Sequence, residues 1–544
     1  MIRKNMKNMK PEGRINWAEM RQEYGLLAIM TLAVLVLRVA YVVLWHPYGL
    51  APDEAQYWSW LAHNDWSFLT KPPLVTWLMG VSTWILGDTL LGVKLFALVG
   101  QSATAVLGYM IAKEIAGTRL AAPSRTLAGR DGEALAQPSV RISEQGFAAG
   151  WWAWVLLTTA PLIAAGGLLM TPDAVLVPIW LAVVLSVVRG LGKDDAKALC
   201  WGRWLTIGVL VGLGGLAKYS AALFYPLLGG YLLLWRREWL KAPQVWVSGV
   251  VALGFQVPVL VWNMQNGWVG VEHVLWQADG GGDDRHGGLK TVLEFVGGQA
   301  LVLGPVVFGL AVGVLGYWGV RTRDARVRWL CWVAGVILAG FAALALTAKV
   351  QANWPVLGSV VLLVLLAVWL GKRSEERGKR NWVVWVAVGG VVLNSVLSLM
   401  LMDTYKARDL GILPLKVKMD PTKDLRGWAD MGELLGRVLY KVDNPVVLSS
   451  RYQTLAPLMF HTVGSPEFAY VNAEGKRKNQ YDLWPLPDLN GRVVVYVSEK
   501  NVLPEGVKGM FGECSPWHSL GVEEYGVQTR RIWTWVCWAP RASA

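Results

Sequence analysis

The chain has 544 residues, of which 54% are apolar and only 17% charged, with 32 tryptophans and a mean hydropathy of +0.37. A soluble protein of this length needs more surface charge, so most of the chain is solvated by lipid, and disorder, collagen-like repeats and a small disulfide scaffold are excluded. The net charge of +13 brings nucleic acid to mind as a partner, until the position of that charge is considered.

Apolar runs suited to crossing a bilayer recur near 25–45, 91–116, 147–168, 174–190, 204–217, 219–235, 243–262, 298–320, 329–347, 355–371 and 382–402. Eleven spans are therefore predicted. Segments 1–24, 117–146, 189–203, 236–241, 321–328 and 372–380 hold 26 Lys and Arg against 12 acidic residues. The alternate short loops hold only Lys71, Lys218, Arg285, Lys290 and Lys349. The positive-inside rule then places the N-terminus in the cytoplasm and everything after 403 outside. The six cytoplasmic segments carry +14, so the basic balance is a topology signal and nucleic acid is not a partner. The first span follows six basic residues but no small-residue cleavage site follows it, which reads as an uncleaved anchor.

Three parts result: a cytoplasmic segment 1–24, a membrane domain 25–402 with a first outer loop at 46–73, and an exported domain 403–544. That tail loses the long apolar runs. Short β-rich stretches at 445–449, 492–498 and 531–538, separated by polar and proline-containing segments, predict a small α/β domain. Cys514 and Cys537 lie in this exported part, where a disulfide forms if the fold brings them together; two buried free thiols are the alternative. Alternation along the run Trp533–Trp538 puts Cys537 on the face of Trp533 and Trp535.

Chemistry is expected where polar residues collect on the outer face. In the first outer loop, Asp53 and Glu54 follow Pro52, with Tyr57 beyond them. Asp53 with Gln56 reads as an N-cap and capping box, and Glu54 then complements the helix dipole. The same carboxylates suit a general base beside the membrane. Lys71 precedes Pro72 and Pro73, which holds its backbone extended; it reads as a snorkelling lysine or as a grip on a phosphate. Thr171-Pro172-Asp173 reads as a helix start that sets a further carboxylate at the same depth. Lys218 and Tyr219 form a third island, and a lysine there must meet an anion or snorkel out. Lys349 and Asn353, Asn263, and Gln299 complete the set; Trp262 and Trp354 read as interfacial anchors.

Taken in order, PDEAQYW…KPPL, MTPDAVL, GLGGLAKYSAALF, PVLVWNMQNGW, GGQALVLGP and KVQANWP resemble the bacterial branch of the dolichyl-phosphate-mannose protein mannosyltransferase superfamily. This branch is glycosyltransferase family 39, related to the lipid A aminoarabinose transferases. Arg451-Tyr452-Gln453 and Asn479 to Trp484 in the tail resemble it too. The resemblance implies the GT-C fold, an α-helical polytopic membrane protein with an outer-face cavity, and a polyprenyl-phosphate sugar donor. It implies Asp53 as general base with Glu54 beside it, Lys71 near the donor phosphate, and Asp173 as a second site carboxylate. In the aminoarabinose transferases a glutamate precedes the KPP lysine and helps bind a metal. Thr70 stands here, so no cofactor is expected and a divalent metal is not implied.

The reading is thus a membrane glycosyltransferase of the bacterial inner membrane. A sugar passes, with inversion, from a polyprenyl-phosphate donor to an acceptor that is lipid A or another glycolipid, a glycan or a protein. Lys71, with Lys218 or Lys349, would stabilise the leaving phosphate. A transporter or flippase of lipid-linked sugars would instead spread polar groups through the membrane midplane, and a ligase joining lipid-linked glycans would not share this motif order.

Overall fold

The computed structural model describes residues 17–63, 65–117, 144–193, 195–278, 287–374, 381–413, 416–473 and 479–540. Most of the N-terminal segment, most of the basic segment 117–146, the Gly/Asp cluster at 279–286 with Arg285, and residues 375–380 lie outside these residues.

All eleven predicted spans are helical, but fewer are long and unbroken. Among the described residues six helices are long and apolar enough to cross a membrane, or eight if each bent pair counts as one span. The protein is multi-pass. Its first described helices are α1 (Trp17–Ala40), α2 (Pro52–Ser59) and α3 (Leu74–Leu86), with the loop 46–73 among them. Then come α4 (Leu90–Gly117), α5 (Glu144–Thr159), α6 (Pro161–Gly166) and α7 (Pro172–Leu191).

Where the expectation failed, proline is usually the reason. The run 147–168 breaks between α5 and α6 because Ala160, preceding Pro161, takes an extended ψ of 125°. The run expected at 298–320 is two helices, Leu289–Leu303 and Pro305–Arg321, meeting at 110°. Pro305 has no N–H to continue the first helix, and Gly304 turns at φ +85°. A side chain at Gly304 would collide with Asn394, whose Oδ1 lies 1.6 Å from the position of a Cβ. The sixth crossing, Tyr219–Trp235, opens on a 3-10 turn and is only a short apolar stretch.

The bundle is stitched chiefly by α4 against α5 and α7, and by Val356–Ser374, which is buried along nearly its whole length. Small residues let these helices approach closely. A Cβ on Gly371 would meet the Ala149 backbone at 2.6 Å, and one on Gly100 would meet the Ala174 carbonyl oxygen at 2.3 Å.

The tail is the expected α/β unit. Strands β1 (Val446–Ser449), β2 (Glu467–Tyr470), β3 (Val494–Ser498), β4 (Phe511–Glu524) and β5 (Val527–Pro540) form one sheet in the order β2-β1-β3-β5-β4. The first three pair in parallel; β5 runs antiparallel to β3 and β4. Strands β1, β3 and β5 match the predicted stretches. β2 is only four residues with one buried position, and β4 is mostly exposed, so neither shows an apolar run in the sequence. Cys514 and Cys537 face each other across β4 and β5 and are joined in a disulfide, with Cα atoms 4.1 Å apart. Cys537 shares its apolar cluster with Trp535 and Trp533.

Candidate functional site

Two helices begin in the same way. Ala51-Pro52-Asp53 opens α2 and Thr171-Pro172-Asp173 opens α7, with proline at the first helical position and aspartate directly after it. Proline suits this position because its missing N–H has no partner there anyway, and the helix dipole favours the carboxylate beside it. Thr171 caps α7 as expected, accepting from the Ala174 N–H. In α2, however, the N-cap is Ala51 and not Asp53, so the predicted capping box does not form. Glu54 supplies the cap instead, its Oε2 accepting from the Ala51 N–H at 2.9 Å. Asp53 is left exposed.

Asp173 gathers two of the other predicted islands. Lys218 Nζ donates to both its carboxylate oxygens, at 2.7 and 3.0 Å, and Asn353 Nδ2 donates at 3.0 Å. Three residues from three separate parts of the chain meet here. Lys218 thus meets an anion supplied by the protein, and only what remains of its field is available to a substrate. Lys349, four residues before Asn353, is exposed and has no ion pair among the described residues.

The Lys71 ammonium stands beside this group without a hydrogen-bonding partner among the described residues; its carbonyl accepts from the Phe68 N–H. Burial pulls its pKa below the usual lysine value, and the charge of Lys218 adds to this, while Asp53 and Asp173 oppose it. Those influences bring Lys71, Lys218, Asp53 and Asp173 into one electrostatic site. Tyr57, 3% exposed, forms its floor; burial raises its phenol pKa, and Asp53 is the first of the charges that add to the shift.

Other predicted residues are occupied elsewhere. Glu54 is wholly buried and faces inward, paired with Lys94 at 2.6 Å, so it is not a catalytic neighbour of Asp53. Removing one partner of such a pair costs about 3–5 kcal/mol. Asn263 spends its side chain on the Val259 carbonyl and the Val271 N–H. Gln299 is fully buried, held by Ser359 and donating to the Ala352 carbonyl; it braces the turn that carries Asn353. Trp262 is 2% exposed, packed with Leu69 and Val269, and is no interfacial anchor. Trp354 is partly buried against Phe341.

The tail packs onto the loop 46–73. Tyr452 donates its hydroxyl to Asp53 at 3.1 Å. Gln480 accepts from the Leu69 N–H at 2.7 Å, Tyr481 bonds Ser59 at 2.6 Å, and Trp484 stacks on His63 at 3.7 Å. His461 accepts from the Leu50 N–H at 3.3 Å. The tail motifs around 451 and 479–484 therefore act by docking on the loop that carries Asp53 and Lys71. Histidine 273 was also missed: Lys71 helps lower its pKa, after burial. An isolated histidine carries no spacing signal, whereas the tail motifs were visible and lacked only a partner.

Beside Tyr219 a mostly apolar groove of about 540 Å³ runs down the bundle. Tyr219 and Gln256 stand at one end, with Trp246 and Leu240 toward the other, and Gly229 and Gly249 keep it open. Among the described residues no three His, Cys, Asp or Glu side chains converge to hold a metal ion.

The sequence model of the dolichyl-phosphate-mannose-protein mannosyltransferase family matches residues 142–262. A lipid A galacturonosyltransferase, RgtD of Rhizobium johnstonii, is 26% identical over 330 residues, 60% of this chain and 62% of that protein. The chain thus spans less than two thirds of this relative's length. The crystal structure of ArnT from Cupriavidus metallidurans bound to undecaprenyl phosphate superposes with a TM-score of 0.60 at 16% identity, covering 94% of this chain and 98% of that one. The apo structure of the same protein gives 0.59 at 14% identity, covering 95% and 98%. Residues 142–262 are thus similar to the dolichyl-phosphate-mannose-protein mannosyltransferase family, and the chain as a whole shares the GT-C fold of ArnT. The family match takes in Asp173, Lys218 and Tyr219, while Asp53, Lys71 and Asn353 lie outside it.

Proposed function

We propose that the protein is a glycosyltransferase that moves a sugar from a polyprenyl-phosphate donor to lipid A or a similar glycolipid at the outer face of the bacterial inner membrane. The observation that carries the reading is that Asp53, Asp173 and the Lys71 ammonium, which has no partner among the described residues, act on one another electrostatically, while Lys218, bonded to Asp173, is next in sequence to Tyr219 on the apolar groove. The names of its relatives support the substrate classes: a lipid A galacturonosyltransferase and a protein crystallised with undecaprenyl phosphate.

The donor's prenyl chain lies in the groove beside Tyr219, and its phosphate meets Lys71. Asp53 takes the proton from the acceptor hydroxyl. The acceptor oxygen attacks the anomeric carbon from the opposite side, and the bond to the phosphate oxygen breaks with its electron pair. The leaving polyprenyl phosphate gains a negative charge, which Lys71 meets in a site of low polarity. Asp173 acts on the donor side through Lys218, and the inversion follows from single displacement. A lipid acceptor is supported by the name of the lipid A galacturonosyltransferase, whereas a protein acceptor is supported only by the name of the family that matches residues 142–262. The one-sided clustering of Asp53, Asp173 and Lys71 favours transfer over a flippase.

Lipid extracts of a deletion strain, analysed by mass spectrometry, test this. A sugar-bearing lipid A species should vanish and return with the wild-type gene; an unchanged lipid profile refutes the reading. The orientation is tested by reporters fused after Arg380 and after Trp484, which should report opposite sides. Both reporting the cytoplasm would remove the outer-face site.

A further inference from the structure

We infer that the buried Glu54–Lys94 pair positions the two site carboxylates relative to each other, an inference that rests on the proposed transfer site. Glu54 exposes none of its side chain and Lys94 only 6%, so neither touches a substrate. The bonding is divided between two separate parts of the chain. One Glu54 oxygen accepts from the Ala51 N–H, directly before Pro52 and Asp53. The other accepts from the Met170 N–H at 2.6 Å, three residues before Asp173. Lys94, on α4, neutralises this carboxylate and also donates to the Leu168 carbonyl at 3.2 Å.

Glu54 is thus a single node between the two helix starts. Asp53 follows one tethered N–H by two residues, and Asp173 follows the other by three. Each aspartate sits in the first turn, where the backbone direction fixes where the carboxylate points. Burying a charge pair only to fill space has no advantage over apolar packing of similar volume. Two N–H groups 119 residues apart in sequence on one carboxylate give the pair a role that apolar packing lacks. Displacing one helix start by about 1 Å would separate Asp53, the proposed proton acceptor, from Asp173 and the Lys218 it holds on the donor side, and misplacement of that size costs rate steeply.

The test compares two double variants of the full-length protein. Glu54→Leu/Lys94→Met removes the pair without stranding a charge and removes both N–H acceptors. Glu54→Gln/Lys94→Met is equally neutral but keeps an acceptor oxygen. Each is measured for thermal unfolding, for lipid product per copy of membrane-inserted protein in the deletion strain, and for undecaprenyl phosphate binding in nanodiscs. The Leu/Met variant should insert and unfold near the wild-type temperature, yet lose about tenfold or more in product and bind undecaprenyl phosphate more weakly. The Gln/Met variant should recover part of both losses at the same unfolding temperature. Equal product from the two at equal stability, or wild-type product from Leu/Met, overturns the inference. Should Leu/Met not insert, Gln/Met is read alone, and wild-type product and binding from it overturn the inference equally. Asp53→Asn, run in parallel, separates the levels. Wild-type transfer there sinks the site itself, whereas an inactive Asp53→Asn beside fully active Glu54 variants sinks only the positioning role.

Discussion

Asp53→Asn isolates the charge of the proposed base from everything else that residue does. The side chain is exposed and is not the N-cap, so the substitution leaves Glu54 and its bonds in place. Asparagine keeps a carbonyl oxygen for the Tyr452 hydroxyl, now 3.1 Å from Oδ1. The stability cost is then the helix-dipole contribution, about 0.3–1 kcal/mol. Loss of a positioned base typically costs 10²-fold or more in rate, which corresponds to about 2.7 kcal/mol of barrier. The two effects differ enough to be told apart. Membrane abundance and thermal unfolding should stay close to wild type, while the sugar-bearing lipid falls at least about 10²-fold per inserted protein. Near-normal transfer from Asp53→Asn would show that the carboxylate does no more than complement its helix.

Lys71→Met should weaken undecaprenyl phosphate binding in nanodiscs by about tenfold or more without altering abundance; wild-type affinity would remove the phosphate role. His461 is held neutral, its pKa pushed down to about 4 by burial, with the charge of Lys94 and His46 adding to the shift. The unfolded tail takes up a proton near pH 6.5 and the folded one does not, so stability is full above that pH and falls by about 3 kcal/mol between pH 6.5 and 4. Thermal melts of His461→Gln should lose that slope, and an unchanged slope would refute it. Cys537→Ser opens a loop of 23 residues and should cost the tail about 3 kcal/mol in an unfolding measurement made without reductant. An unchanged midpoint would show that the bridge adds nothing.

The helical membrane domain was legible in the sequence because a bilayer leaves the chain few choices: long apolar runs mark the helices. The helix ends were less legible. Pro161 and Pro305 break runs whose hydropathy is continuous, and hydropathy does not register a missing N–H. At the site, Asp53, Asp173, Lys71, Lys218 and Asn353 were visible as polar residues in apolar surroundings. Glu54 misled because its neighbour in sequence points the opposite way in space. Asn263 and Gln299 misled for a related reason, since a buried amide and a binding amide look alike until their partners are known. Lys94 was hidden inside an apolar span, where only a fold reveals the carboxylate that neutralises it.

The contact between Tyr452 and Asp53 joins residues 399 positions apart. During synthesis the loop bearing Asp53 emerges early and then waits, through every later crossing, for the sheet domain that completes it. Contacts of such long range form late, since the intervening chain must be ordered before closure is rewarded. A chain still being made therefore holds a membrane bundle whose loop 46–73 lacks its partner. The Tyr452 contact to Asp53 forms only after the sheet domain has folded onto that loop, so assembly of this face is a late event.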